Sequence, residues 1–267
     1  MTTLHSLQYS FGRFGRASAH WSAGWWHIVW LGSLILVLAM SPSSYHHKNR
    51  AKLATHIVLG TAPYLPGFAL MAAFVSVVLI RIVIITTTSY NLTHYAFEMM
   101  VRVLVLELIP LAAALFVALR CTVPSGAELV RMHERGEFDT LQRAGIDPLR
   151  HELLPRVLAG IFAVLMLAAV SSLLATLLAY VAVHGFALSG FAGFTRAMGD
   201  IFNPAVALIF SLKTLFFSLA VSLTPVAAFL RVRRNARVQQ NPELDSLVRL
   251  FAILLLIEAV SLISNYY

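Results

Sequence analysis

Along the chain, long apolar runs alternate with short polar ones, and the one extended polar interruption, from Cys121 to Arg156, falls between two such runs. The runs at about 65–90, 94–119, 157–183, 202–230 and 247–266 each exceed the roughly 17 apolar residues that a helix needs to cross a hydrocarbon core. Only a helix or a closed barrel satisfies its own backbone groups in lipid. The pattern therefore predicts an all-α integral membrane protein with five transmembrane helices. The first two form a hairpin closed by a short turn at Ser89–Thr93, and Pro63 and Pro66 mark the entry to the first. A Gly- and Phe-rich loop (HGFALSGFAGFTRAMGD) joins the third to the fourth, and a basic loop joins the fourth to the fifth.

An earlier apolar stretch, Trp21 to Met40, holds all four tryptophans, which fits aromatic rings at headgroup level. Length alone leaves open whether it crosses or lies flat. Basic residues stand at Arg13/Arg16, Lys48/Arg50/Lys52, throughout 120–156, and at Arg231/Arg233/Arg234/Arg237. If Trp21–Met40 stays on one face, all of these share one side of the membrane, so the excess of positive charge on cytoplasmic loops favours an interfacial helix. The expected divisions are an N-terminal segment with that helix (1–56), a transmembrane hairpin (57–120), a cytoplasmic segment (121–156) and three further spans (157–267). This places the N-terminus in the cytoplasm and the C-terminus on the outer side.

Composition strengthens this reading and excludes others. The 267 residues are 59% hydrophobic and only 12% charged, against about 25% charged in a soluble domain. The net charge of +8 then reads as orientation of loops rather than nucleic-acid binding. The single Cys121 permits neither an internal disulfide nor a cysteine metal cluster. Residues 1–20 are polar and lack the cleavage site of a signal peptide, so the start is expected to be retained. No inverted repeat is visible, which disfavours a twofold-repeated secondary transporter.

Six charged residues fall inside the predicted spans: Arg81, Glu98, Arg102, Glu107, Lys213 and Glu258. Each costs about 2.5–3.5 kcal/mol at the centre of an isolated helix, so partners or a wet cavity are implied. Glu107 lies thirteen positions in from His94 and Lys213 thirteen in from Asp200, which sets the two at one depth and predicts an ion pair. Glu98 stands one turn from Arg102, Arg81 is level with Arg102, and Glu258 is placed to join that group from the fifth span. Together they read either as pins between helices or as a polar lining for a pathway that handles an anionic headgroup.

The polar segment reads as a helical lever. Ser125 and Glu128 have capping-box spacing, Gly136 interrupts the helix, and Phe138, Leu141, Ala144 and Ile146 give an apolar edge suited to a partner or the membrane surface. Gly145 ends the second piece, and Asp147-Pro148 reads as an N-cap followed by proline at the first helical position. Residues 121–156 make a long connection for an idle loop.

Specific motifs add a resemblance. Glu107-Leu108-Ile109-Pro110, Ala114-Leu115, Arg120, Ala127-Glu128, Met132, Gly145-Ile146-Asp147-Pro148, Pro155-Arg156 and Lys213 together resemble the MlaE/YrbE lipid-transport permease family. Departures are Leu106, Ile109 and Leu119-Arg120-Cys121-Thr122 where the family has Arg, Gly and a G-R-x-G, along with a more basic loop before the fifth span, which marks a divergent member. The resemblance implies the permease subunit of an ABC transporter in the bacterial inner membrane. Such a subunit forms a dimer with itself or a paralogue, grips a cytoplasmic ABC ATPase subunit through Glu128, Met132, Arg135, Phe138 and Asp147, meets a periplasmic MCE-domain protein, and carries phospholipid. A small regulatory cytoplasmic subunit is a further implied partner.

No catalytic residue, cofactor or metal site is expected in the chain itself. There is no G-x-x-x-x-G-K-[ST], and the only lysines are Lys48, Lys52 and Lys213, so a P-loop must come from another chain. Haem ligation is disfavoured because the ten histidines sit in the N-terminal segment, in loops or at span ends. A hydrolase built on Ser189 and His184 lacks an acid. The remaining alternative is a non-transporting membrane anchor or assembly subunit of an envelope complex.

Overall fold

The computed structural model describes residues 30–35, 37, 47–92, 95–186, 191–234 and 242–266. Its helices are α1 (His47–Thr61), α2 (Leu65–Ser89), α3 (Ala96–Glu134), α4 (Glu137–Arg143), α5 (Leu149–His184), α6 (Phe191–Ile201), α7 (Pro204–Arg234) and α8 (Pro242–Tyr266). Five helical stretches are long and apolar enough to span a membrane: Leu53–Ser89, Ala96–Glu134, Leu149–His184, Pro204–Leu230 and Ser246–Asn265. Among the described residues there is no strand, so the all-α membrane fold and its five spans agree with the sequence pattern.

Helix α5 is the hub, packing against α1, α2 and α7 and against the middle of α3, while α8 lies along α7. Three apolar layers stack from one end to the other. Near the turn between α2 and α3, Ile80, Phe97, Met100, Leu104 and Ala175 form one layer. In the middle, Ala113, Ala114 and Val117 of α3 meet Ala163, Val164 and Phe217. In lipid, helices gain by close packing more than by escape from water, and small side chains let backbones approach. Gly160 and Gly126 take this to its limit. A Cβ on Gly160 would stand 2.6 Å from Ser222 Oγ and 2.9 Å from Thr122 Cγ2, and one on Gly126 would stand 2.8 Å from Pro225 Cβ.

The third layer joins the lever to the spans. Leu129, Met132 and Phe138 pack with Leu153, Leu154, Val226 and Phe229, and Leu31 and Ile35 reach the same cluster. Of the stretch Trp21–Met40, residues 30–35 and 37 are helical. The rest of it, with the basic pair Arg13/Arg16, lies outside the described residues, as do Thr93, His94, Ser189 and Arg237.

Two sequence expectations change. Span two and the first lever helix are one continuous helix, α3, rather than two pieces. Ser125 is inside it and makes no capping box: Thr122 already has helical dihedrals, and no side chain caps the segment. Prolines explain how the helix continues. Pro110, Pro124 and Pro155 each follow a residue whose N–H bonds five positions back, Ile109 to Leu104, Val123 to Ala118 and Leu154 to Leu149. Proline has no N–H and crowds the carbonyl four residues before it, and a wide π-helical turn relieves both problems without breaking the rod. The second change is at 184–200, where part of the expected loop forms α6. Its Phe194 rests edge-on against Phe97 and Tyr180, at 5.4 and 4.9 Å between ring centroids.

The hydroxyls inside the spans mostly bond back to their own helix, as Ser76 does to Ala72 O, Thr214 to Phe210 O and Thr224 to Ala220 O. Ser171, Ser172, Ser222 and Ser261 are exceptions, with buried hydroxyls that find no partner among the described residues.

Candidate functional site

The deepest polar contact in the spans is built around Lys213 of α7. Pro110 offers no N–H to the Leu106 carbonyl four residues before it, and the Lys213 ammonium fills that gap, donating to Leu106 O at 3.2 Å. The same ammonium donates to Glu107 Oε2 and forms an ion pair with Glu258 Oε2 of α8 at 2.9 Å. Its three protons thus face three oxygens. Lys213 is 3% exposed, and the faces of Glu107 and Glu258 are also largely covered. Asn265 Nδ2 reaches the other Glu107 oxygen at 3.4 Å.

Two carboxylates therefore share one ammonium. The ion pair expected from equal depth, Glu107 with Lys213, is present. Glu258 does not join Arg81 and Arg102, as the sequence suggested, but Lys213. Depth along a helix is countable from sequence; the rotation that decides which neighbour a side chain faces is not. Glu98 and Arg102 do pair at 2.9 Å, one turn apart on a half-exposed face. Arg81 is exposed on α2 and makes no ion pair among the described residues. The six intramembrane charges therefore separate into a triad, a pair and a lone arginine.

The triad sits at the edge of an apolar groove of about 280 Å³ between α7 and α8. Ile209, Leu212 and Phe216 make one wall and Leu256, Ile257 and Val260 the other, with Lys213, Ser261 and Ser264 also in the lining. Glu258, Ser261 and Asn265 are spaced i, i+3, i+7 and so share a face of α8. Ser261 Oγ and Asn265 Oδ1 are buried with no hydrogen-bond partner among the described residues. Serine and asparagine near the end of a span carry little weight in a hydropathy reading, so Ser261 and Asn265 were passed over; their common spacing with Glu258 was the available signal.

The lever gives a second surface. Gly136 and Gly145 both take φ of 73°, a left-handed turn that frames α4 as a separate short helix. Asp147 Oδ1 accepts from Leu149 N–H at 3.1 Å, the expected N-cap. Glu128, Arg131, Arg135 and Glu137 form a chain of loose ion pairs between 3.5 and 3.9 Å on the open face. Phe138 and Met132 were expected on that face and are not there. Phe138 is 1% exposed, stacked on Phe229 at 5.4 Å, and Met132 is buried beside it. An aromatic ring next to a membrane helix end gains more from its own core than from water. Ala144 and Ile146 are the residues of the expected apolar edge that stay exposed.

Arg156 ties the two regions together. Its guanidinium donates to Ser125 O at 3.2 Å and Ser125 Oγ at 3.4 Å, to Met132 Sδ, and to Glu152 at 3.3 Å, locking the lever to the start of α5. Among the described residues, no three His, Cys, Asp or Glu side chains converge to hold a metal ion.

A family model decides the classification: "Permease MlaE" matches residues 53–263, from the first turns of span one to the end of span five. The chain belongs to the MlaE permease family. A search of curated proteins finds no match to the chain. Membership makes it a multi-pass membrane subunit of the ABC-permease kind, and its Glu107–Lys213 pair and its Arg156 lock are this MlaE permease's own contacts between motif residues.

Proposed function

We propose that the chain is the lipid-carrying permease subunit of an ABC transporter, moving phospholipid between the bacterial inner membrane and an MCE-protein conduit while a separate ATPase supplies the energy. The observation that carries this is the groove between α7 and α8, apolar along its walls and with Lys213, the charged centre of the triad, in its lining. A single-tailed or double-tailed amphiphile has that same division into oil and charge, and such sites join apolar walls to a few placed polar groups. The open face of the lever, Glu128, Arg135 and Asp147 with Ile146, is the handle for the ATPase, in the cytoplasm with the N-terminus. Phe138 and Met132 support that handle from beneath. Two copies, or this chain and a paralogue, enclose the pathway; α2, which leaves Leu70, Phe74, Val78, Ile82 and Ile85 exposed, has the surface to spare for such a neighbour.

Coupling follows from continuity. The lever and span two share the rod of α3, and π-helical turns interrupt it at Val101–Leu108, next to Glu107, and at Ala118–Thr122, next to the lever. A tilt imposed on the lever bends the rod where it is already wide, shifting Glu107 against Lys213. That changes lipid affinity between two states, which is what an energy-coupled carrier requires.

Reconstitution with the co-purifying subunits tests this reading. Labelled phospholipid should move on ATP addition, and Lys213→Met should abolish movement while leaving the complex assembled. A purified complex holding neither an ATPase subunit nor phospholipid would instead favour the membrane-anchor reading.

A further inference from the structure

We propose that a second, separate cavity, at the lever end of the spans between α1, α3, α5 and α7, binds the phosphate of a phospholipid in the leaflet on the lever side. The cavity is about 290 Å³, and Arg120, Arg156 and Ser222 stand in its lining. Arg120 is exposed at its mouth, its guanidinium 5.8 Å above the Tyr64 ring, and makes no ion pair among the described residues. The remaining donor of Arg156, Nε, is buried with no partner among the described residues. Ser222 is 2% exposed, lines the same cavity, and its hydroxyl also has none.

No acidic side chain lines this cavity, and its arginines are not outnumbered by carboxylates as the Lys213 ammonium is by Glu107 and Glu258. Glu152 is the nearby acid, and it is engaged by Arg156 at 3.3 Å. Buried donors lacking acceptors are costly, and a phosphate, with several acceptor oxygens and negative charge, meets all of them with charge-assisted bonds. The level is right for a lipid rather than for the aqueous lever. Arg120 follows the apolar run that ends at Leu119, and Arg156 precedes the one that begins at Val157. Leu59 and Ala159 supply an apolar flank for the acyl chains. Basic pockets between spanning helices on the cytoplasmic side are a recurring form of headgroup site. Bound there, the phosphate bridges the end of span two to the starts of the lever lock and of span three, bracing the corner about which the lever moves.

The test uses the full chain with whatever subunits co-purify, stripped of lipid in detergent and titrated with phosphatidylglycerol, bound lipid being read by native mass spectrometry. Inorganic phosphate is titrated in a parallel arm with thermal stability as readout. Arg120→Gln and Ser222→Ala should each weaken phosphatidylglycerol retention about tenfold, the loss of one charge-assisted or buried hydrogen bond. Arg196→Gln, a cation on α6 at the far end, should leave it unchanged. If inorganic phosphate stabilises the wild type but not Arg120→Gln, and competes with lipid, the site is a phosphate site served from solution. Equal lipid retention in all three variants, with no response to inorganic phosphate, overturns the proposal. That result would leave the groove reading intact, since none of these residues touches the Lys213 triad.

Discussion

Replacing Lys213 with methionine removes the one positive charge between Glu107 and Glu258 while keeping the length and apolar bulk of the side chain. In the wild type the ammonium faces three oxygens and is almost wholly covered. Without it, two carboxylates face each other inside the spans, and the Leu106 carbonyl loses the donor that Pro110 cannot provide. Removing one partner of a buried pair costs about 3–5 kcal/mol, mostly as the penalty of the charge left behind. Reversible unfolding in mixed detergent micelles, followed by circular dichroism, should show a loss of that size. The companion variant decides the cause. In Lys213→Met/Glu107→Gln/Glu258→Gln no net charge remains, so at least about 2 kcal/mol should return. If Lys213→Met alone costs under about 1 kcal/mol, or if the triple variant is no better than the single one, the triad is not a buried charge cluster and the argument fails.

Other outcomes follow from packing and from the lever. Gly160→Ala should destabilise by about 1–3 kcal/mol, since its Cβ would stand 2.6 Å from Ser222 Oγ, and Ser222→Ala in the same chain should restore part of the loss in the same unfolding assay. Phe138→Ala should cost about 3–5 kcal/mol and expose the lever to limited proteolysis near Gly145, because the ring is 1% exposed and stacked on Phe229. Arg131→Ala/Arg135→Ala should change stability by less than about 1 kcal/mol, the worth of such exposed pairs, yet lower the ATPase rate of the assembled complex; equal rates would remove these two from the handle. Pro110→Ala should straighten the rod at Ile109 and weaken the Leu106–Lys213 contact, read as a lower transport rate with assembly unchanged.

The spans were legible because the bilayer imposes a length and a polarity that composition alone can report. The Glu107–Lys213 pair was legible for a related reason, as depth is a count of residues. What stayed hidden depends on rotation and on local exceptions. Glu258 was countable to a level but not to a neighbour. The Ser125 capping signal was real in spacing, yet the π-helical turn before Pro124 let span two run straight on, so no helix started there for it to cap. Phe138 followed an apolar pattern that fits a docking edge and an internal core equally well, and the position of Phe229 separates the two; Met132, expected on the handle through the family resemblance, packs in the same core.

Photocrosslinking with a phospholipid carrying a light-activated group on its acyl chain, in the reconstituted complex, addresses the central claim most directly. The label should fall on peptides of α7 and α8 containing Phe216 and Val260, and should drop sharply in Lys213→Met. Label confined to the exposed surface of α2, or indifferent to Lys213, would contradict the account.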